Sequence, residues 1–319
     1  MSRKKTYCRK RSTIYRVRNW SAYTSALKQR GSLNIWIGQD VLGSWYATPN
    51  GSPGRDCLYS DQAVETALTI RKLFRLPLRQ TEGLLTSLIQ RLHLPIAVPN
   101  YTTLSRRGAS LTINLATSHK DEVDIVIDSS GVTVYRAGEW NTKRHGKKKA
   151  KRWKKIHVAI DDDGEVRAGE VTEESIHDAD GVTSLLSQET ASVRSLTADG
   201  AYDTHQVYTI CQTHSIPQVV IPPRKNARIW QHGNRLEPEH PRDSNLRLMR
   251  KQGRTFWKQV THYHRRSRVE ATIFRYKTIL GHYVLSREAT RQRIELLLGF
   301  KILNRMWQLG MPDSYAVTT

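Results

Sequence analysis

The sequence is poor in cysteine and has no long apolar run, and both shortages narrow the kind of protein that it encodes. The three cysteines, Cys8, Cys57 and Cys211, lie far apart and form no Cys-x-x-Cys pair. This scattered, odd-numbered set excludes a disulfide framework and a zinc site, and it indicates a reducing compartment. No stretch approaches the roughly 20 apolar residues that cross a bilayer, so we expect no membrane partner. No apolar signal core follows the basic N-terminus, so we do not expect secretion.

Acidic residues are also scarce relative to basic ones. The chain has 51 Lys and Arg against 29 Asp and Glu, which gives a formal net charge of +22 and a pI near 10.1. Such an excess is typical of proteins that bind a polyanion. The alternative is a membrane-surface binder, but the charge is spread along the whole chain rather than confined to one amphipathic helix. The distribution therefore favours nucleic acid.

Three of the acidic residues form a pattern with chemical meaning. Asp128 ends the apolar run 125–127, Asp199 follows the predicted strand 193–198, and Glu270 falls on a later predicted helix. Hard divalent cations prefer oxygen ligands, and a pair of them can activate a water and stabilise the leaving oxygen in phosphoryl transfer. The pattern predicts a carboxylate site for such cations. Neither a Gly-x-Ser-x-Gly motif nor a Gly-rich phosphate loop offers a competing chemistry.

The middle of the chain predicts a mixed sheet. Strands are expected at 123–129 (continued after Gly131 at 132–136), 153–160, 166–172, 193–198 and 217–222, with helices near 180–188 and 204–213. The turn 161–164 joins two of the strands as a hairpin. This order fits an α/β, RNase H-like core in which the strands bearing Asp128 and Asp199 are neighbours. We assign the core to 119–222 and 262–319, and the Arg-rich stretch 223–261 to an extended, DNA-facing basic insertion with short helices.

The N-terminal part is predicted to be mainly helical and to bind DNA. Residues 1–58 form a basic arm and a dimerisation or DNA-binding segment, with a helix from Ser21 to about 30 and a short strand at 33–37. Residues 59–118 resemble a helix-turn-helix region, with Ser60 and Asn100 as helix caps. The alternative is an ordinary helical subdomain packed on the core. The residues expected to reach base edges lie on the last of these helices: Thr102, Thr103, Arg106 and Arg107.

Two helices are predicted near the end of the chain, one at about 262–280 that ends at Gly281 and one at about 288–309. The first has an apolar side of Val269, Ile273, Tyr276 and Leu280, and the second buries Leu296, Leu297, Phe300, Leu303 and Trp307.

The helix at 262–280 carries Glu270 and holds a second pattern. Tyr263, Arg266, Glu270 and Lys277 follow one another at intervals of 3, 4 and 7 residues. These intervals place the four side chains on one stripe of a helix. The stripe combines a metal ligand, two cations for phosphates and an aromatic hydroxyl. The alternative is a solvated charged face, because the helix is basic on all sides.

This spacing, Tyr-x2-Arg-x3-Glu-x6-Lys, resembles the signature around the catalytic glutamate of DDE transposases from bacterial insertion sequences of groups four and five. Residues 126–131 (Val-Ile-Asp-Ser-Ser-Gly) resemble the first-aspartate motif, and residues 198–203 (Ala-Asp-Gly-Ala-Tyr-Asp) resemble the second. The segments 19–21 and 303–306 are similar to members of group five. The resemblance covers nearly the whole chain.

The resemblance implies an RNase H-like catalytic core with two Mg²⁺ ions, or Mn²⁺ as a substitute, bound by Asp128, Asp199 and Glu270. It implies cleavage of double-stranded DNA at the terminal repeats of a mobile element and transfer of the 3′-hydroxyls to target DNA. Tyr263, Arg266 and Lys277 would hold DNA near the cut. We expect a homodimer in the synaptic complex and a bacterial, cytoplasmic, nucleoid-associated protein.

A dense basic run at 143–155 joins two predicted strands beside the acidic residues. It has nine Lys and Arg and no acid, a composition that in isolation is typical of a disordered tail. We interpret it as a phosphate-contacting loop, and a nuclear-localisation signal is the alternative that the bacterial resemblance disfavours. The residues expected to contact phosphates here are Lys147, Lys148, Lys149, Lys151 and Arg152.

Two other functions compete with a transposase. One is a transposase-derived DNA-binding regulator without catalysis, which the loss of any one of the three acids would have favoured, and none is missing. The other is a simple RNase H-like nuclease. The helical N-terminal region and the stripe around Glu270 argue against that nuclease.

Overall fold

A mixed sheet organises the computed structural model of the chain, which describes residues 14–48, 57–116, 118–134, 153–231 and 239–317. The strands run in the order β4-β3-β2-β5-β6, and β7 pairs with the far end of β2. The pairs β2–β3 and β3–β4 are antiparallel, whereas β2–β5 and β5–β6 are parallel. The strands of this sheet are β2 (Glu122–Val134), β3 (Trp153–Ile160), β4 (Val166–Glu173), β5 (Ser192–Thr197), β6 (Gln218–Val220) and β7 (Tyr283–Val284). The predicted α/β fold with a mixed, RNase H-like sheet is confirmed.

Helices cover both faces of the sheet. Those after the central strand are α7 (Gly181–Ser187), α8 (His205–Thr213), α9 (Pro241–Val260), α10 (Ser267–Leu280) and α11 (Ala289–Gln308). On β2, Val126 packs into one hydrophobic cluster together with α10 and α11, and Ile125 and Ile127 pack into a second cluster together with α7 and α8. Burial on both faces explains why the central strand reads as a continuous apolar run.

The turn between β3 and β4 is fixed by one carboxylate. Asp161 Oδ1 accepts hydrogen bonds from the backbone N–H groups of Asp163, at 3.0 Å, and Glu165, at 2.9 Å. Gly164 has a φ of 90°, a conformation that favours glycine. The predicted hairpin at 161–164 is therefore confirmed.

The N-terminal helices join the core through α4, which packs on α11. They are α1 (Trp20–Gln29), α2 (Leu33–Trp36), α3 (Gln39–Gly43), α4 (Asp61–Phe74), α5 (Leu78–Arg91) and α6 (Tyr101–Arg107). The predicted caps are confirmed: Ser60 Oγ accepts from the Ala63 N–H at 3.1 Å, and Asn100 Oδ1 accepts from the Thr103 N–H at 2.8 Å. Leu104 is buried in the same cluster as Val126, so this region shares a core with the sheet.

Two predictions in this N-terminal region are wrong. The segment 33–37 is the short helix α2 rather than a strand. Its Trp36 is buried and donates its indole N–H to the Arg30 carbonyl at 3.0 Å, and a short apolar run does not distinguish a strand from a buried helix. Helix α1 begins at Trp20, so Ser21 does not cap it. Asn19 is at the cap position, but its side chain donates to the Met311 carbonyl and accepts from the Asp313 N–H instead of capping the helix.

The central strand is longer than its apolar run. Asp128 lies inside β2 rather than at its end, because pairing with β3 continues from Asp128 to Thr133. Residues 135 and 136 of the predicted strand, and the whole of the basic run up to 152, lie outside the described residues.

The segment 223–261 differs from the expected extended insertion. Its residues 241–260, labelled α9, form two short helices on either side of Gly253, whose φ of 85° and ψ of 159° are not helical. The two parts are held together by Trp257, which is buried and donates its indole N–H to Asn245 Oδ1 at 2.8 Å. Arg242 is also buried and pairs with Asp203 at 2.7 Å. The prediction of short helices agrees with the two parts of α9, whereas the buried Trp257 and Arg242 show that the segment packs against the rest of the protein and is not extended.

The two ends of the described chain meet in a small sheet of their own. Strand β1 (Ile14–Val17) pairs antiparallel with β8 (Ser314–Val317). Arg30 strengthens the junction, since its Nη2 donates to the Gly310 carbonyl at 2.8 Å. Helix α11 ends nearby, where Trp307, predicted to be buried, is only partly so and donates to the Asp163 carbonyl at 2.8 Å. Within the described residues, no helix has the length and apolar character that would let it cross a membrane.

Candidate active site

The sheet register places two of the predicted acidic residues on neighbouring strands. Val126 of β2 is the parallel partner of Thr197 of β5. Asp128 and Asp199 each follow two residues after that pair, so they advance together along adjacent strands. The predicted neighbourhood of the two aspartates is thus a consequence of strand order and register.

Each aspartate also has a local role that fixes its carboxylate. Asp128 Oδ1 accepts from the Ser129 N–H at 2.9 Å. Asp199 caps a short 3-10 helix, Gly200–Tyr202, and accepts from the Ala201 N–H at 2.8 Å. Each carboxylate keeps further lone pairs that these single bonds do not use.

Glu270 comes to the same place from helix α10. The predicted apolar side of this helix is confirmed: Val269, Ile273, Tyr276 and Leu280 are all buried. Glu270 lies on the other side, with half of its side chain exposed. The helix ends as predicted at Gly281, whose φ is 84°. Its start is later than predicted, because Tyr263–Arg266 form a separate 3-10 turn before it.

The three carboxylates influence one another electrostatically. Burial raises the pKa of Asp128, and the negative charges of Asp199 and Glu270 raise it further, against the opposing effects of the Ser129 N–H and Arg266. A carboxylate with a raised pKa among like charges is one whose ionised form lacks compensation. A cation placed between the three would supply that compensation.

Arg266 supplies part of this compensation. Its Nη2 forms an ion pair with Glu270, one helical turn further on, and its Nη1 lies 3.5 Å from Asp128 Oδ2. Only 22% of its side chain is exposed. The guanidinium therefore bridges two of the three carboxylates.

The donor set suits a hard divalent cation, although the carboxylates are not drawn together around one. Carboxylate oxygens are the ligands that Mg²⁺ and Mn²⁺ accept. In the parts of the chain that the structure describes, no group of three or more His, Cys, Asp or Glu side chains is arranged to hold a metal ion.

Helix α10 and the turn before it lie along β2 through three polar contacts, which we call the strand–helix seam. Arg265 Nη1 lies 2.9 Å from Asp124, Arg266 approaches Asp128, and Lys277 Nζ donates to Ser130 Oγ at 2.7 Å. The three strand residues are an even number of positions apart and so share one face. Val126, between them, packs in the same cluster as Val269 and Ile273. The seam fixes Glu270 relative to Asp128.

The sequence analysis did not identify Asp124, the residue at one end of this seam. Asp124 is almost fully buried, pairs with Arg194 and accepts from Ser195 Oγ at 2.6 Å. Although burial alone would raise the pKa of Asp124, these hydrogen bonds hold it well below its ordinary value. Its position on the same strand face as Asp128 was the available signal.

An exposed aromatic residue on α10 was also missed. Phe274 lies four residues after Glu270 and three before Lys277, on the same stripe of the helix. Its side chain is 70% exposed, which is unusual for a large apolar residue.

The other predicted contact residues have varied placements. Tyr263 is half-buried with its ring 5.0 Å from that of Trp257. On α6, Thr102 and Arg106 are exposed and Thr103 is partly buried. Arg107 instead donates to the Tyr59 carbonyl at 2.9 Å and to Asp61 at 2.6 Å, so its guanidinium is tied to the protein. The predicted phosphate contacts Lys147, Lys148, Lys149, Lys151 and Arg152 lie outside the described residues.

Comparison with protein families agrees with this geometry. A family model described as a transposase DDE domain matches residues 119–305, more than half of the chain and all three acidic positions. A second model with the same description matches residues 28–137, from the end of α1 to three residues beyond β2. Families of this kind generally use divalent metals and act on DNA.

Proposed function

This chain belongs to the DDE transposase family, and we propose that it cleaves the ends of an insertion sequence of group five and joins their 3′-hydroxyls to target DNA by two-metal phosphoryl transfer. The observation that carries the proposal is the convergence of Asp128, Asp199 and Glu270 from two adjacent strands and one helix. The alternative, a DNA-binding regulator without catalysis, has no need of such a convergence. No observation favours it.

Asp128, Asp199 and Glu270 would hold two Mg²⁺ ions, for which Mn²⁺ can substitute. When bound, these ions would supply water activation and neutralise charge on the phosphate. The carboxylates themselves are held by backbone N–H groups and by the strand–helix seam, so the protein contributes fixed positions.

The cationic side chains of the stripe would position the DNA near the cut. Lys277 is held against Ser130, close to Asp128 along β2, and burial lowers its pKa. A partly desolvated ammonium group gains more from a phosphate than one in water does. Tyr263 and Arg266 would complete the phosphate contacts, as the Tyr-Arg-Glu-Lys signature implies, and the exposed ring of Phe274 offers a surface on which a base can stack.

Recognition of the element ends is assigned to the helical region 59–118. Thr102, Thr103 and Arg106 of α6 would contact base edges, and Arg107 would have to leave Asp61 in order to join them. The basic arm in 1–58 and the run 143–155 would add contacts to the backbone of the DNA. Bringing two ends together requires at least a homodimer, and we place the protein at the nucleoid in a bacterial cytoplasm.

A cleavage assay tests this proposal. Purified protein is incubated with Mg²⁺ and a duplex that carries the element's own ends, and binding is measured in parallel. We expect cleavage by the wild-type protein, and binding without cleavage by Asp128→Asn, Asp199→Asn and Glu270→Gln. Wild-type protein that binds the ends specifically but never cleaves them, with either Mg²⁺ or Mn²⁺, would support the regulator instead.

A further inference from the structure

Arg266 has two kinds of partner, the carboxylates that it contacts in the structure and the DNA phosphate that we propose for it. Its guanidinium bridges Glu270 and Asp128, which are two of the three carboxylates that would hold the metal ions. A guanidinium is always charged in proteins, so Arg266 acts as a counter-ion built into the site.

The bridge is one that a stronger ligand can open. Glu270 is half exposed and the pair with Arg266 is a local contact across one helical turn. Ion pairs of this kind, partly open to solvent, are weak. A divalent cation competes with the guanidinium for the carboxylates, and a phosphate competes with the carboxylates for the guanidinium, which binds phosphate in a bidentate manner.

The bridge is also not needed to hold the helix. The strand–helix seam has two further polar contacts, Arg265 with Asp124 and Lys277 with Ser130. Val269 and Ile273 pack into the core beneath them. Arg266 can therefore change partners while α10 stays on β2.

We propose that Arg266 couples DNA binding to metal binding, an inference that rests on the function proposed above. Without DNA, its guanidinium neutralises Glu270 and Asp128 and weakens the binding of divalent cations. A DNA phosphate draws Arg266 away and leaves the carboxylates to the metal. By thermodynamic reciprocity, metal in turn strengthens DNA binding. The site would thus bind divalent cations tightly only after DNA has bound.

Titration of the full-length protein with Mn²⁺ tests the coupling, with bound ion followed by electron paramagnetic resonance. Each protein is titrated alone and with a pre-cleaved duplex carrying the element's ends, and ion bound by DNA alone is subtracted. We expect DNA to raise the Mn²⁺ affinity of the wild-type protein at least fivefold, the lower end of typical allosteric couplings. Arg266→Gln should bind Mn²⁺ about as tightly without DNA as the wild type does with it.

The matched control is Arg268→Gln. Arg268 lies two residues further on, in the first turn of α10, and its replacement makes the same change of charge, but its contacts are with Asp162 rather than with the three carboxylates. It should behave as wild type in both titrations. A gain in Arg268→Gln equal to that in Arg266→Gln would reduce the effect to net charge and overturn the proposal.

Two further results separate the possible failures. If Glu270→Gln loses Mn²⁺ binding but Arg266→Gln matches the wild type without DNA, the coupling is wrong and the proposed function stands. If neither Glu270→Gln nor Asp128→Asn changes Mn²⁺ binding, the carboxylates are not the metal site and both proposals fall. Circular dichroism checks that each variant is folded.

Discussion

Asp124 and Asp128 lie four residues apart on the same face of one strand, yet their surroundings differ sharply. Asp124 is 4% exposed and is bound by Arg194, Arg265 and Ser195. Asp128 is 16% exposed, and its only ion pair among the described residues is with Arg266 at 3.5 Å. The negative charges of Asp199 and Glu270 act on it. The pKa is lowered at the first and raised at the second. The comparison teaches that compensation by partners, and not burial, separates a structural carboxylate from one that needs a cation.

Replacing Asp128 tests the functional side of this comparison and should have the largest effect. Asp128→Asn removes a ligand of the proposed metal ions, which would stabilise the transition state by several kcal/mol. We expect a loss of at least about 10³-fold in the rate of DNA cleavage, with binding to the element ends retained. Single-turnover cleavage and a gel-shift titration measure the two quantities. A variant that cleaves within tenfold of the wild-type rate would remove Asp128 from the site.

Replacing Asp124 tests the structural side. Asp124→Asn replaces an ionised acceptor of the buried Ser195 hydroxyl by a neutral one, and a hydrogen bond to a charged group contributes about 1 kcal/mol more than a neutral one. We expect the free energy of unfolding in urea to fall by about this amount, with cleavage per folded molecule changed far less than in Asp128→Asn. If Asp124→Asn abolished cleavage at unchanged stability, the contrast between the two residues would be mistaken.

The two carboxylates should also have opposite effects on stability against pH. Because the folded-state pKa of Asp124 is lowered, its contribution is present above the unfolded-state pKa, near 3.9, and is lost as the pH falls through the folded-state pKa. The pKa of Asp128 is raised, so its ionisation destabilises the fold as the pH rises through that value. Asp124→Asn should flatten the acid side of the stability curve. Asp128→Asn should gain stability at neutral pH, and the gain should vanish below about pH 3.9. Urea unfolding from pH 3 to 7 measures both curves.

The smallest effect is expected at the far end of the seam. Lys277→Gln removes a cation that we assign to one phosphate, so the salt slope of log K for DNA should fall by about 0.9. Stability should change little, because the contact with Ser130 can persist through the amide. Filter binding between 50 and 300 mM salt gives the slope, and an unchanged slope would show that Lys277 does not reach the DNA.

The main features of the fold could be predicted from the sequence because each rested on a local pattern. Apolar periodicity gave the buried side of α10, and the caps Ser60 and Asn100 marked helix starts. The neighbourhood of Asp128 and Asp199 required only the strand order. The secondary structure of 33–37 was not predictable, because a short, mostly apolar segment suits either a strand or a helix packed on a core.

Contacts between distant parts of the chain were beyond local patterns. Arg265 meets Asp124, and Arg242 is buried against Asp203. In both cases an arginine in a basic stretch, for which the sequence predicts DNA binding, instead holds the fold together. Composition reports how much charge a segment carries, whereas the partner of each charge depends on tertiary structure.

The pairing of β1 with β8 has a consequence for synthesis on the ribosome. The two strands are at opposite ends of the described chain, with Ile14 beside Val317. At about 5–20 residues per second, roughly 15–60 s pass between the synthesis of one strand and that of the other. During this time β1 leaves the tunnel without its partner, while the sheet between them can already form. The β1–β8 pair therefore forms last. A nascent chain that stalls before β8 would have a nearly complete core in which β1 is still unpaired.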